Sequence, residues 1–222
     1  MTTRGSIPRR ESREARTKRG ERIADRLGEV YPDAECELTW RTPFQLLVAT
    51  ILSAQCTDVM VNQVTPALFE EFPDASSLAK APQRKVEKLI RRTGFFSQKA
   101  TSIREAAKAI VREHAGEVPR DMDLLTQLRG VGRKTASVVL GTAFGIPAVF
   151  VDTHVTRLTN RLGLTKNLVP EKIEQDVRAL LPADRWVAFC HRLIHHGRRI
   201  CHARSPKCEV CPLADLCPRI GV

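Results

Sequence analysis

Leu128-Arg129-Gly130-Val131-Gly132-Arg133-Lys134-Thr135-Ala136 is the stretch on which the reading of this 222-residue chain turns. It follows a short apolar segment (Leu124, Leu125, Leu128) and runs into a helical pattern that begins near Arg133. Two glycines around one apolar residue permit a tight hairpin between helices, because glycine adopts backbone conformations that other residues resist. The missing side chains let an anion approach the backbone, and the unpaired amides at the start of the second helix point outward toward it. A Gly-x-Gly turn alone fits an ordinary helix connection equally well. Arg129, Arg133 and Lys134 shift the reading toward a phosphate. Lys134 faces the positive end of the helix dipole, which disfavours the ammonium, and Arg133 pushes the same way. Such an amine can attack a sugar carbon and form a Schiff base, although spacing alone fits a plain phosphate-contacting lysine more simply.

Outward from the hairpin, apolar residues recur at helical spacing: Ile23, Leu27, Val30; Phe44, Leu47, Val48, Ile51; Val61, Val64, Leu68; Val86, Leu89, Ile90; Ile103, Ala107, Ile110. The pattern continues through Val138 and Val139, through Ile173, Val177 and Leu180, and through Trp186, Phe189, Cys190 and Leu193. Pro43 and Pro170 stand near helix starts, and Gly94, Gly116, Gly145 and Gly163 near helix ends. The β-branched stretch Ala148 to Val151 is too isolated to pair as a strand. An all-α protein of about ten helices is expected, given the usual helix length of three to four turns.

Composition narrows the function. With 36 Lys+Arg against 25 Asp+Glu the chain carries +11, a field that draws polyanions and points first to nucleic acid. Ala136 to Val151, the most apolar stretch, is interrupted by Ser137, Gly141, Thr142, Gly145 and Pro147 and falls short of a membrane span. Met1 to Arg22 is arginine-rich without a hydrophobic stretch, so it is no secretory signal and reads as a mobile basic arm over its first twenty or so residues. A reducing cytoplasm follows, where cysteine spacing means metal, catalysis or packing.

Four of seven cysteines close the chain as Cys201-x6-Cys208-x2-Cys211-x5-Cys217, with Pro212 and Pro218 directly after two of them. Four thiolates in so short a stretch suit an iron–sulfur cluster. Zinc also accepts four thiolates, but its usual pattern has two Cys-x-x-Cys pairs and this stretch has one. Cys36, Cys56 and Cys190 are expected to pack. His191 and His195 stand four apart without a third ligand at suitable spacing. Val151-Asp152-Thr153-His154 places an acid before a helical segment, where it serves as an N-cap and is also able to stabilise charge developing on a sugar.

Together the Leu128–Ala136 hairpin, the Val151-Asp152-Thr153-His154 segment eighteen positions after Lys134, and the cysteine pattern resemble the endonuclease III family. Leu52-Ser53-Ala54-Gln55-Cys56-Thr57-Asp58 resembles that family's LSAQ-x-TD stretch, and Gly94-Phe95-Phe96-Ser97-Gln98-Lys99-Ala100 its second DNA-facing loop. The resemblance covers nearly all of the chain after about Glu35. It implies a two-domain helix-hairpin-helix fold: residues 1–35 as a basic arm and the first helix of the cluster domain, 36–146 as a six-helix domain, and 147–222 as the iron–sulfur cluster domain. It further implies a bifunctional DNA glycosylase and abasic-site lyase that acts as a monomer on double-stranded DNA with damaged pyrimidines or abasic sites, in the bacterial nucleoid. A 4Fe-4S cluster would sit on Cys201, Cys208, Cys211 and Cys217.

In that picture the damaged nucleotide leaves the stack, as attack at C1′ requires. Lys134 would displace the base, Asp152 would assist, and the Schiff base would permit β-elimination. Gln55 would fill the vacated space and Phe95 would wedge the opposite strand. Arg129, Gly130, Val131, Gly132 and Arg133 would hold the backbone, with Arg204 and Lys207 between the first two cysteines adding phosphate contacts. The chain departs from the pattern where Arg129 replaces a usual proline, Thr126 a frequent acid and Cys56 a common alanine. Two rivals remain at this stage. A monofunctional adenine-mismatch glycosylase lacks the hairpin lysine and carries an extra C-terminal domain; a non-catalytic DNA-binding or redox-sensing module would break no bond.

Overall fold

The computed structural model describes residues 11–222. Among them the secondary structure is entirely helical, and the chain divides into two compact units: Cys36–Ile146, and the segment up to Glu35 together with Pro147–Val222. No helix among the described residues is long and apolar enough to cross a membrane.

The Cys36–Ile146 unit is built around α2 (Pro43–Leu52), which starts with Pro43 in its first turn and the Thr42 hydroxyl accepting from the Gln45 amide at 3.2 Å. Phe44 and the seven consecutive residues Leu46 to Leu52 are buried within it, so this helix is surrounded on all sides. α3 (Asp58–Glu71) carries Pro66 internally, and α5 (Gln83–Ile90) packs against it. α6 (Phe96–Glu113) buries Ala100, Ile103, Ala107 and Ile110, one stripe at helical spacing, against α4 (Ala75–Lys80) and α5. α7 (Met122–Gln127) leads through the glycine hairpin into α8 (Arg133–Phe144), whose buried run Ala136–Gly141 packs on α2. That makes seven α-helices, with a 3-10 turn at Arg91–Thr93, where six helices were expected. The additional one is α4, too short to show apolar periodicity; its signal is the Asp74 to Ser77 capping box, in which each residue's side chain satisfies the other's backbone.

In the other unit α1 (Arg13–Val30) packs on α10 (Pro170–Leu180) and α11 (Trp186–Arg199), and α11 also covers α9 (Thr153–Arg161). Ile23, Leu27, Val155, Leu158, Ile173, Phe189, Cys190 and Leu193 form its core. At about 1.5–3 kcal/mol for each large apolar side chain taken out of water, this core is the main force holding the unit. Ala148 to Val151 is buried extended chain without strand pairing.

Residues 1–10 of the expected mobile arm lie outside the described region, and from Arg13 the rest of that stretch is helix rather than mobile chain. Ser12 caps α1 by accepting from the Ala15 amide, and helix begins at Arg13. Arg19 is buried rather than solvated. Its guanidinium donates to the Leu162 and Leu216 carbonyls at 2.5 and 3.2 Å and pairs with Glu11 at 2.6 Å, so a residue counted as surface charge is a clasp between α1 and the chain after α9.

Candidate active site and cluster centre

The hairpin is fixed by its backbone. Leu128 closes α7, the Val131 amide donates to the Leu128 carbonyl at 3.0 Å, and Gly130 has φ +82°. A Cβ at Gly130 would stand 2.8 Å from Cβ of Ser102, so conformation and space both require glycine there. Val131 is buried and plugs the turn, while Gly132 opens α8 without any side-chain cap. α8 therefore starts without an acidic or hydroxyl cap of its own, the kind of helix start that binds an anion. Arg129, Gly130, Gly132, Arg133 and Lys134 are exposed around them. Among the described residues Lys134 forms no ion pair, and the following run Ala136–Gly141 of its helix is buried, so the amine stands on a rigid base.

Gln55 and Phe95 share a backbone peculiarity. Both lie in the left-handed region, at φ +52° and +45°, which costs a side-chain-bearing residue about 1–2 kcal/mol. Gln55 is exposed in the turn after α2, and Phe95 is 63% exposed at the N-cap of α6, with Phe96 half-buried beside it. Lys99, which carried no assignment from sequence, supports the second loop: it is buried and donates to the Thr93 carbonyl at 2.7 Å. Burial pushes its amine down, partly offset by nearby Cys56. Its signal was readable, a lysine in phase with Ile103 and Ile110 on the buried stripe of α6.

Asp152 belongs to the other unit, at the N-cap of α9, where Oδ1 accepts from the Val155 amide at 2.7 Å. It is half-buried and borders a surface groove with Thr153, Thr156, Arg157 and Pro170. Behind it Arg157 donates to the Gly197 and Cys201 carbonyls at 3.1 and 3.0 Å and meets His154 Nδ1 at 3.0 Å. Burial pushes the His154 imidazole down, against the pull of Asp152. Gly197 permits this packing, since a Cβ there would lie 2.7 Å from His154 Nδ1. Neither Arg157 nor Gly197 was marked by a motif.

Cys201, Cys208, Cys211 and Cys217 line one pocket with Leu158, Arg161 and His196. Arg161 donates to Cys201 Sγ at 3.4 Å and to the His202 and Ala203 carbonyls at 2.7 Å; the Arg219 amide donates to Cys217 Sγ at 3.3 Å. Burial and the other thiols push Cys211 up to about 11, and a bound cation reverses that preference. Among the described residues no three such side chains converge on the position of a single ion. A tetrahedral zinc needs all four sulfurs at about 2.3 Å from one point. Four thiols spread around a pocket suit a multi-iron cluster better. Arg204 and Lys207 are exposed on the loop between the first two cysteines. Cys190 is fully buried beside Phe189, Cys36 and Cys56 are half-buried, the His191 ring packs tilted against Phe150 with centroids 4.7 Å apart, and His195 Nε2 meets the Glu35 carbonyl at 3.1 Å.

Residues 48–183 match the model of the HhH-GPD superfamily of base excision DNA repair proteins, and residues 201–217 that of the iron–sulfur binding domain of endonuclease III. The endonuclease III of Synechocystis sp. is 55% identical over 193 residues, 86% of this chain and 88% of the relative. Among solved structures, a non-covalent endonuclease III–DNA complex superposes with a TM-score of 0.88 at 42% identity, covering 91% of this chain and 95% of that one. A trapped endonuclease III–DNA covalent intermediate gives 0.87 at 42%, covering 91% and 96%.

Proposed function

Because the chain belongs to the endonuclease III family, base excision DNA repair enzymes with an iron–sulfur centre, we propose that Lys134 is the nucleophile with which it excises damaged pyrimidines and cleaves the abasic strand. The observation that carries this reading is the exposed amine on the second residue of α8, a helix that opens at Gly132 with no side-chain cap, the kind of helix start that suits a DNA phosphate. Lys134 Nζ bonds to C1′ of the flipped nucleotide as the C1′–N bond breaks and its electron pair leaves with the base. Asp152 takes up the proton that the ammonium loses and stabilises positive charge on the sugar through the oxygen not used in capping. Ring opening gives the Schiff base; loss of a C2′ proton then expels the 3′ phosphate, and water releases the lysine. A relative solved as a trapped covalent intermediate with DNA supports this route.

The Gln55 and Phe95 loops enter the duplex in this reading, which gives their strained backbones a use. Arg129, Gly130, Val131, Gly132 and Arg133 hold the strand phosphates, and Arg204 and Lys207 add contacts. Cys201, Cys208, Cys211 and Cys217 hold the 4Fe-4S cluster, whose part is to order a C-terminal segment that has little apolar content of its own. The monomer acts on the bacterial chromosome. Borohydride reduction in the presence of abasic-site duplex is expected to yield a covalent protein–DNA adduct that Lys134→Ala abolishes while duplex binding persists. An undiminished adduct in that variant removes Lys134 from the chemistry.

A further inference from the structure

His196 lies on α11, 2% exposed, and touches the cysteine centre twice. Its carbonyl accepts from the Cys201 amide at 2.9 Å, and its Nε2 stands 3.5 Å from Cys211 Sγ. The opposite ring nitrogen, Nδ1, is 3.0 Å from the hydroxyl of Tyr31. Tyr31 is the only tyrosine of the chain, ends α1, and is itself buried, with the Arg199 guanidinium 5.5 Å from its ring centroid. A tyrosine hydroxyl, an imidazole and a cysteine sulfur therefore stand in series, and the repair chemistry above uses neither Tyr31 nor His196.

The direction of the series follows from the proton inventory. A free thiol is able to donate its S–H to Nε2, which would leave Nδ1–H to donate to the tyrosine oxygen. A ligating cysteine is a thiolate and has no proton to give. The 3.5 Å contact is then satisfied only by Nε2–H donating to sulfur, and a neutral ring with its hydrogen on Nε2 must accept at Nδ1, from Tyr31 O–H. Loading the pocket thus fixes one tautomer, and Tyr31 is placed to hold it.

We propose that Tyr31 and His196 form a hydrogen-bond relay that ends on the Cys211 thiolate and raises the reduction potential of the cluster. The inference rests on the 4Fe-4S reading of the four cysteines. An N–H directed at a ligating sulfur stabilises the more negatively charged, reduced level more than the oxidised one, and hydrogen bonds to sulfur are among the levers that set cluster potentials. His196 is a positioning residue in this scheme and Tyr31 orients it. The relay is the one neutral side-chain donor to a ligand sulfur among the described contacts, beside the Arg161 guanidinium on Cys201 and the Arg219 amide on Cys217.

The test uses the full-length iron-loaded protein. Iron content and the visible spectrum come first: a wild-type protein without iron sinks the cluster reading itself, a result distinct from failure of the relay. In loaded protein, voltammetry is expected to show a lower midpoint potential for His196→Phe, recovery of most of the shift in His196→Gln, which keeps an N–H, and a smaller shift of the same sign in Tyr31→Phe. His195→Gln, on the same helix but bonded to the Glu35 carbonyl, should leave the potential in place. The Fe–S(Cys) Raman bands should move in D2O, and by less in loaded His196→Phe than in wild type, since the Arg161 and Arg219 donors exchange in both. Unmoved potentials in Tyr31→Phe and the loaded His196 variant, or a deuterium shift of the Raman bands as large in His196→Phe as in wild type, overturn the relay.

Discussion

Asp152 caps α9 through one carboxylate oxygen, so its charge and its hydrogen bond are separable by substitution. Asparagine is as good an N-cap as aspartate, whereas alanine forfeits about 0.5–2 kcal/mol. Asp152→Asn is expected to retain wild-type melting and DNA affinity and to lose most base excision, while Asp152→Ala loses stability as well; calorimetry beside a single-turnover excision assay distinguishes the two. Excision at wild-type rate in Asp152→Asn removes the carboxylate from the mechanism. Phe95 offers the converse separation. Its left-handed backbone is strained and its ring mostly exposed, so Phe95→Gly relieves strain and forfeits little burial. Excision should fall in this variant while its melting temperature holds or rises. The turn glycine and the capping acid were legible from local sequence: Gly130 has φ +82° and no room for a Cβ, and Asp152 caps α9 as an acid before a helix does. Arg157 and Gly197 were not, because their importance lies in what other segments bring against them.

Elements followed the same division. The helices with apolar stripes, such as α6 and α10, were visible from spacing, and the prolines in the first turns of α2 and α10 marked their starts. α4 was missed because six residues hold less than two turns of pattern. α1 began earlier than its apolar positions implied, because burial of Arg19 replaces an apolar contact with a guanidinium that satisfies two carbonyls. That clasp has a pH signature. The Arg19 hydrogen bond holds the Glu11 carboxyl below its ordinary range, so its folded value lies under its unfolded one. The stabilisation is complete above the usual carboxylate range and drains away as acidity carries the solution down through the folded value. Urea midpoints measured from neutral to acid pH should converge for wild type and Glu11→Gln; a constant gap between them refutes the linkage.

For the molecule as a whole, the excess of cations decides how it meets DNA. Neutralising backbone phosphates releases condensed counterions, so affinity for duplex should fall steeply and linearly on a log–log plot against salt. Replacing Arg204 and Lys207 together should flatten that slope by about two contacts without altering lesion preference; an unchanged slope places both side chains off the strand. One compact unit is contiguous in sequence, Cys36–Ile146, and the other is assembled from segments on both sides of it. On the ribosome the contiguous part has all its residues before synthesis ends, whereas α1, made before it, has to wait with Ile23 and Leu27 uncovered until α10 and α11 emerge. A translation arrest near residue 150 would leave a nascent chain with a folded middle and a sticky beginning, a natural handle for chaperones and a point at which over-expression is expected to fail.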